Sequence, residues 1–382
     1  MQRISVGEAL IPSLAVCITF HYDASRISYL NQVIHGYGGI ALRTRVYIVT
    51  NVSDYGPIEG ALIGLPGEIS VEFFTPTGLG HPYLLAWSHF AILRDLVASG
   101  DITHFLYSED DILLSRSNIA YWLRAREALR EHGLLPSFYR VELDSAGRWV
   151  STDNCDPVGF SQQAWLFRRG LGLFMAMPNP HQGMYFLDQP LMHELINSPE
   201  LSPDNFIGGI REKAAHGLTF IAKPKGFSSR TVVPIDLHGK TVAQEAWVHH
   251  LPNSYSRNPT SDHGKILMAA LFQPLDDVWV IGGLYSMHYD ETKFMLVKIL
   301  SLDTQGVHVR KFSETFVSRP VEIPQSLLNE ELVGKLDGIE FVPFSRGLFA
   351  LLDARYIQHS HVFPWEMERF ERWKAERLDY FG

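Results

Sequence analysis

The stretch Thr103-His-Phe-Leu-Tyr-Ser-Glu-Asp-Asp-Ile112 decides how this chain is read. Phe105-Leu106-Tyr107 has the composition of a buried strand, and it runs directly into three carboxylates, Glu109, Asp110 and Asp111, before a helix start near Ser115. Like charges at the end of a core strand repel one another, so they call for a cation, a hydrogen-bond network or full solvation. In an open α/β sheet the carboxyl ends of the strands are where ligands sit. A divalent metal is therefore expected at these acids, and such oxygen donors suit Mg²⁺ or Mn²⁺. The plain alternative is an acidic cap of the next helix lying in solvent.

Upstream, Leu14-Ala-Val-Cys-Ile-Thr-Phe20 is a β-branched and aromatic run of the kind buried on both faces of a parallel sheet. A periodic stretch with Ile27, Leu30, Val33 and Ile34 on one face follows it. Arg45–Thr50 and Ile69–Phe74 read as further strands, and Tyr83–Val97 as an amphipathic helix with Leu84, Trp87, Ile92, Leu93 and Leu96 inward. Strands alternating with helices over this length indicate a mostly parallel, right-handed sheet.

Downstream, a helix over Ala120–His132 is ended by Gly133, and a strand Phe138–Glu142 comes next. Met184–Ile196 reads as strand then helix, Pro203–His216 as a helix stopped by Gly217, and Thr219–Ala222 and Thr231–Pro234 as short strands. From about Lys265 the period changes to two. Val278–Ile281, Phe294–Ile299, Val307–Arg310 and Thr315–Val317 form an expected antiparallel meander, closed by a helix Trp365–Leu378.

With 382 residues, the chain exceeds a comfortable single core, and the change of period places two domains at 1–260 and 261–382. A net charge of -9, with no basic stripe, argues against a nucleic-acid partner. Cys17 and Cys155, far apart and in apolar or loop contexts, are expected to be free buried thiols of a reducing compartment. No signal peptide and no apolar run of membrane-spanning length is read, so a cytoplasmic protein without a transmembrane segment is expected. There is no Gly-X-X-X-X-Gly-Lys-Ser/Thr loop, no His-Glu-X-X-His helix and no Gly-X-Ser-X-Gly elbow.

Four features in this order resemble the GT-A class of nucleotide-sugar-dependent glycosyltransferases, over about the first 255 residues. Ser108-Glu109-Asp110-Asp111 resembles its Asp-X-Asp motif. Asn179–Asp188, with Gln182 and Gly183, looks like its acceptor-side loop. Gly208–Phe220 looks like the helix that carries its acidic residue, here Glu212, and Val248–Tyr255 looks like its C-terminal histidine segment. The resemblance implies a GT-A-like (Rossmann-like) α/β sheet flanked by helices, with the β-rich region as a C-terminal addition. It implies a nucleotide-sugar donor held at Glu109, Asp110 and Asp111, and a carbohydrate acceptor. It further implies a metal, Mn²⁺ or Mg²⁺, on Asp111 and Glu109 with His249 or His250, and Glu212 as the base of an inverting transfer. Adjacent residues of an extended segment point opposite ways, so one of the two histidines is expected to face the metal.

Two other readings of the same acids stay open: a metal-dependent phosphotransferase or hydrolase, and a carbohydrate-binding or scaffold protein. His81 and His89, eight apart, do not share a helix face and are expected to be structural. Trp87, Trp122 and Trp165 are expected in the core, and His359 and His361 are expected to pack or face solvent.

Overall fold

The computed structural model describes residues 9–159, 163–168, 171–204, 209–236, 241–272, 279–290, 292–324 and 340–376. The chain divides into two compact units, one of Met1–Val158, Gln163–Asp236 and Thr241–Leu271, the other of Gly159–Gln162, Leu237–Lys240 and Phe272–Gly382.

The first unit is organised by a five-stranded sheet. Its order is Met184–Asp188, His104–Glu109, Ile11–Phe20, Ala41–Thr50, Ile69–Phe74, with the first of these antiparallel and the others parallel. Leu14, Val16, Ile18 and Phe20 have no solvent exposure, as their apolar composition demands. Burying each such side chain stabilises the fold by about 1.5–3 kcal/mol. From Ile11–Phe20 the chain moves outward through Ala41–Thr50 and Ile69–Phe74, then returns to the opposite side as His104–Glu109. The strand order therefore reverses between Ile11–Phe20 and His104–Glu109, and the crevice at their carboxyl ends is the switch point where α/β sheets take ligands.

Helices follow their local signals. Ile27–Gly36 buries Leu30, Val33 and Ile34. Arg116–Leu129 starts at Ser115, whose side chain and that of Asn118 cap each other's backbone N–H groups, and it buries Ile119, Trp122 and Leu129. The chain then passes through a 3₁₀ turn, Arg130–His132, to Gly133 in the left-handed conformation. A second sheet of this unit has the order Ile266–Leu267, Trp149–Ser151, Tyr139–Leu143, Trp247–His250, Ile112–Leu113. It pairs His250 with Ile112 and Val248 with Arg140.

The second unit contains an antiparallel sheet in the order Glu340–Ser345, Gly306–Phe316, Phe294–Leu302, Gly283–His288, Arg355–His359. Leu284, Leu296, Phe312 and Ile323 pack together in its core. The helix Pro364–Glu376 seats Glu366 between Lys298 and Arg310, two cations buried nearly completely.

Several local expectations are corrected. Tyr83–Val97 is a 3₁₀ turn, Pro82–Trp87, followed by the α-helix His89–Ser99, because the His81 ring accepts from the Tyr83 N–H at 3.2 Å and holds the first turn tight. Among the described residues of Pro203–His216 only Ile210–Ala214 is helical; 205–208, including Gly208, lie outside the described residues. Thr219–Ala222 is a turn, with Ala222 at φ +51°. Thr315–Val317 contributes no strand of its own: Thr315 and Phe316 end the long strand Gly306–Phe316. Val278 lies outside the described residues, and strand pairing begins only after Gly282, at φ +80°. Cys17 is buried, but Cys155 is exposed, with its thiol against the His263 ring. Trp122 is fully buried, whereas Trp87 and Trp165 are half-buried. Among the described residues no helix is long and apolar enough to cross a membrane.

Candidate functional site at the switch point

Glu109 is the last residue of its strand and pairs in register with Thr19, so Glu109, Asp110 and Asp111 stand at the mouth of the switch-point crevice. From the other side of that crevice comes Arg26. It ends the 3₁₀ turn Ala24–Arg26, which Asp23 caps by accepting from the Ser25 N–H. The Arg26 guanidinium donates through Nε and Nη2 to both oxygens of Asp110 at 2.8 Å, and through Nη2 to Asp111 Oδ2 at 2.7 Å. This forked geometry is what the planar guanidinium supplies and a lysine does not.

The second sheet brings up the remaining partners. His250 Nε2 lies 3.2 Å from Asp111 Oδ2, and its Nδ1 is hydrogen-bonded to Glu142 Oε1. Glu142 also accepts from the backbone N–H groups of Tyr255 at 3.4 Å and Ser256 at 2.6 Å. Arg140 is clamped by both oxygens of Asp153, and its Nη1 lies 4.0 Å from Glu109 Oε2. Arg140 and Glu142 are two apart on a buried strand, hence on one face, and both are at most 5% exposed.

The electrostatics follow from this packing. Burial disfavours charge on His250, but the hydrogen bonds to Asp111 and Glu142 outweigh it and raise its pKa to about 9, so the ring is an imidazolium at pH 7. Burial also opposes ionisation of Asp111, yet His250 and Arg26 hold its carboxyl below the ordinary range. Glu109 and Asp110 are both shifted upward, chiefly by burial and further by the charge of Asp111. Among the described residues five carboxylates, Glu109, Asp110, Asp111, Glu142 and Asp153, meet three cations, Arg26, Arg140 and His250. The cluster thus has carboxylate in excess. Asp111 Oδ1 is buried without a hydrogen-bond partner, and the Glu109 side chain keeps 31% of its exposure.

Of the residues expected from sequence, the structure brings together Glu109, Asp110, Asp111 and His250. His249 is turned to the opposite face, bonded to Asn253 Oδ1 at 3.0 Å and edge-on to Trp149. Both nitrogens of His250 are engaged by carboxylates. Among the described residues no group of three or more His, Cys, Asp or Glu side chains is set to hold a metal ion.

Gly183 adopts φ +66°, its carbonyl accepts from the Glu109 N–H at 2.9 Å, and a Cβ there would come within 2.9 Å of Glu109 Oε2. Glycine is required by both conformation and space. Gln182 is buried and spends its amide on the Phe138 N–H and the Pro180 carbonyl, fixing the loop. Glu212 lies on the short helix Ile210–Ala214, partly exposed and 3.8 Å from Arg211; its field reaches His181 and His216. His89 and Tyr185, joined at 2.7 Å, brace the acid-bearing strand from beneath, with His89 stacked on Tyr107.

Arg26, Arg140, Glu142, Asp153 and Tyr255 were not singled out from the sequence. A signal existed for two of them: Arg140 and Glu142 are charged residues alternating within a strand read as Phe138–Glu142.

No family model matches the sequence, and no curated protein matches it. Among solved structures, 4-diphosphocytidyl-2C-methyl-D-erythritol synthase from Anaerococcus prevotii DSM 20548 is similar at 13% identity and TM-score 0.28, covering 51% of this chain and 79% of that one. The UTP-bound UGPase from Acinetobacter baumannii is similar at 12% identity and TM-score 0.30, covering 53% and 81%. At such scores the likeness carries no functional weight.

Proposed function

We propose that the first unit is a GT-A-type glycosyltransferase that moves a sugar from a nucleoside diphosphate donor to a carbohydrate acceptor. One observation supports this reading above the others: Glu109, Asp110 and Asp111 stand where the order of the parallel sheet reverses, in a cluster with carboxylate in excess.

A divalent cation fits this cluster on two grounds, the unpartnered Asp111 Oδ1 and the surplus of negative charge. Glu109 and Asp111 would hold it. Two carboxylates are what Mg²⁺ takes from a protein when substrate phosphates and waters complete its shell, so a three-residue ligand set is not required. When bound, the cation neutralises the charge that grows on the leaving diphosphate. The chain's own groups do the positioning. Arg26 holds Asp110 and Asp111 together, His250 orients Asp111, and Arg140 sits between Asp153 and Glu109. Gln182 and Gly183 shape the acceptor side. Glu212, on the flank whose field reaches His181, is the base that takes the acceptor hydroxyl proton in this reading, and inversion at the anomeric carbon follows.

The test is the melting temperature of wild type, Glu109→Gln and Asp111→Asn against nucleoside diphosphates and their sugars, with and without Mn²⁺ or Mg²⁺. Ligands that bind the native state raise it by mass action. A metal-dependent rise for one nucleotide, lost in both variants, supports the reading. No rise for any nucleotide at millimolar concentration would overturn it and leave the binding or scaffold role standing.

A further inference from the structure

The turn that follows His250 is fastened more heavily than a surface connection needs to be. Glu142 accepts from the N–H groups of Tyr255 and Ser256. The Lys265 ammonium donates to three turn carbonyls, those of Tyr255 and Ser256 at 3.1 Å and of Asn258 at 2.8 Å. Asn253, at φ +51°, gives its side-chain oxygen to the Leu143 N–H at 2.7 Å. Gly264 lies so close beneath that a Cβ there would come within 2.5 Å of the Ser256 nitrogen.

What this turn holds out is one ring. Tyr255 keeps 37% of its exposure although it lies over the Arg140 guanidinium at 5.9 Å and beside His250 at 5.5 Å. Glu109 and Asp153 act on it electrostatically. An aromatic face braced by a cation, fixed in position and bordered by carboxylates, suits a ring with an apolar face and a rim of hydroxyls. It reaches the acid cluster through Arg140 and His250, which come from the second sheet, whereas Arg26 reaches the same acids from the turn after Ile11–Phe20; with a nucleotide in the switch-point crevice, the second-sheet side is the one left for the sugar.

We infer that Tyr255 is the platform on which the transferred sugar ring of the donor stacks. The inference rests on the glycosyltransferase reading above. The experiment compares affinities of wild type, Tyr255→Ala and Tyr255→Phe for UDP-, GDP- and dTDP-hexoses and for UDP, GDP and dTDP themselves, all with Mg²⁺. The expected result is a loss of about five-fold in Tyr255→Ala for the hexose-bearing donor, with its parent diphosphate unchanged and Tyr255→Phe close to wild type. Equal losses for donor and diphosphate, or no loss for either, overturn the platform while leaving the transferase reading intact. If wild type binds none of the six, both fall together.

Discussion

The braced histidine beneath the acid strand makes acid lability predictable. His89 has no solvent exposure, and its Nδ1 faces the Ala86 carbonyl at 2.6 Å, which can only accept. The proton is therefore on Nδ1, and Nε2 accepts from the Tyr185 hydroxyl. A second proton has no place to go, and burial lowers the pKa from 6.5 to about 3. The unfolded chain takes up that proton below pH 6.5 and the folded chain does not. The contribution is thus fully present above 6.5 and is lost as pH falls from there toward 3. At about 1.36 kcal/mol per pH unit the loss is about 2 kcal/mol at pH 5 and about 5 kcal/mol at pH 3. The perturbation is His89→Phe with Tyr185→Phe, which removes the titrating ring without leaving the hydroxyl orphaned. Urea unfolding of the full chain, followed by far-ultraviolet circular dichroism at pH 7 and pH 5, measures it. Wild type should lose about 2 kcal/mol more than the double variant between these values. Parallel pH profiles would refute the reasoning, because a ring that does not resist protonation contributes no such difference.

Other consequences are equally direct. His250→Gln removes the imidazolium between Asp111 and Glu142 and should destabilise by about 3–5 kcal/mol, part of it recovered when Glu142→Gln is added; a double-mutant cycle on melting temperature checks this. Gly183→Ala should cost about 1–2 kcal/mol from φ +66° alone and more from the 2.9 Å approach to Glu109. Gly100→Ala, at φ +73° with open space, is its control and should show only the conformational part, with no effect on nucleotide binding. In the second unit, Glu366→Gln strands the buried Lys298 and Arg310 and should cost about 3–5 kcal/mol in denaturant unfolding.

Much of the first unit was legible along the chain because its signals are local. A strand buried on both faces must be continuously apolar, as Leu14–Phe20 is, and a capped helix must show its cap, as Ser115 does with Asn118. The antiparallel meander after residue 279 was visible in its period of two, although two pieces of one long strand, Gly306–Phe316, read as separate. The helix forecast for Tyr83–Val97 failed at Pro82–Trp87, a 3₁₀ turn whose Tyr83 N–H is capped by the His81 ring, and a regular α-helix begins only at His89.

The sequence by itself determined that three carboxylates close a core strand, and it placed Glu109, Asp110, Asp111 and His250 among the candidate site residues. Only the tertiary structure decided what neutralises them. Arg26 reaches Asp110 across 84 positions and Glu142 reaches His250 across 108, and no periodicity records a contact of that kind. Which of two adjacent histidines faces the acids depended on how Trp247–His250 pairs with Tyr139–Leu143, a register set by packing on both sides of the strand. Charge and motif are properties of the chain, whereas the balance of charge in a buried cluster is a property of the fold that assembles it.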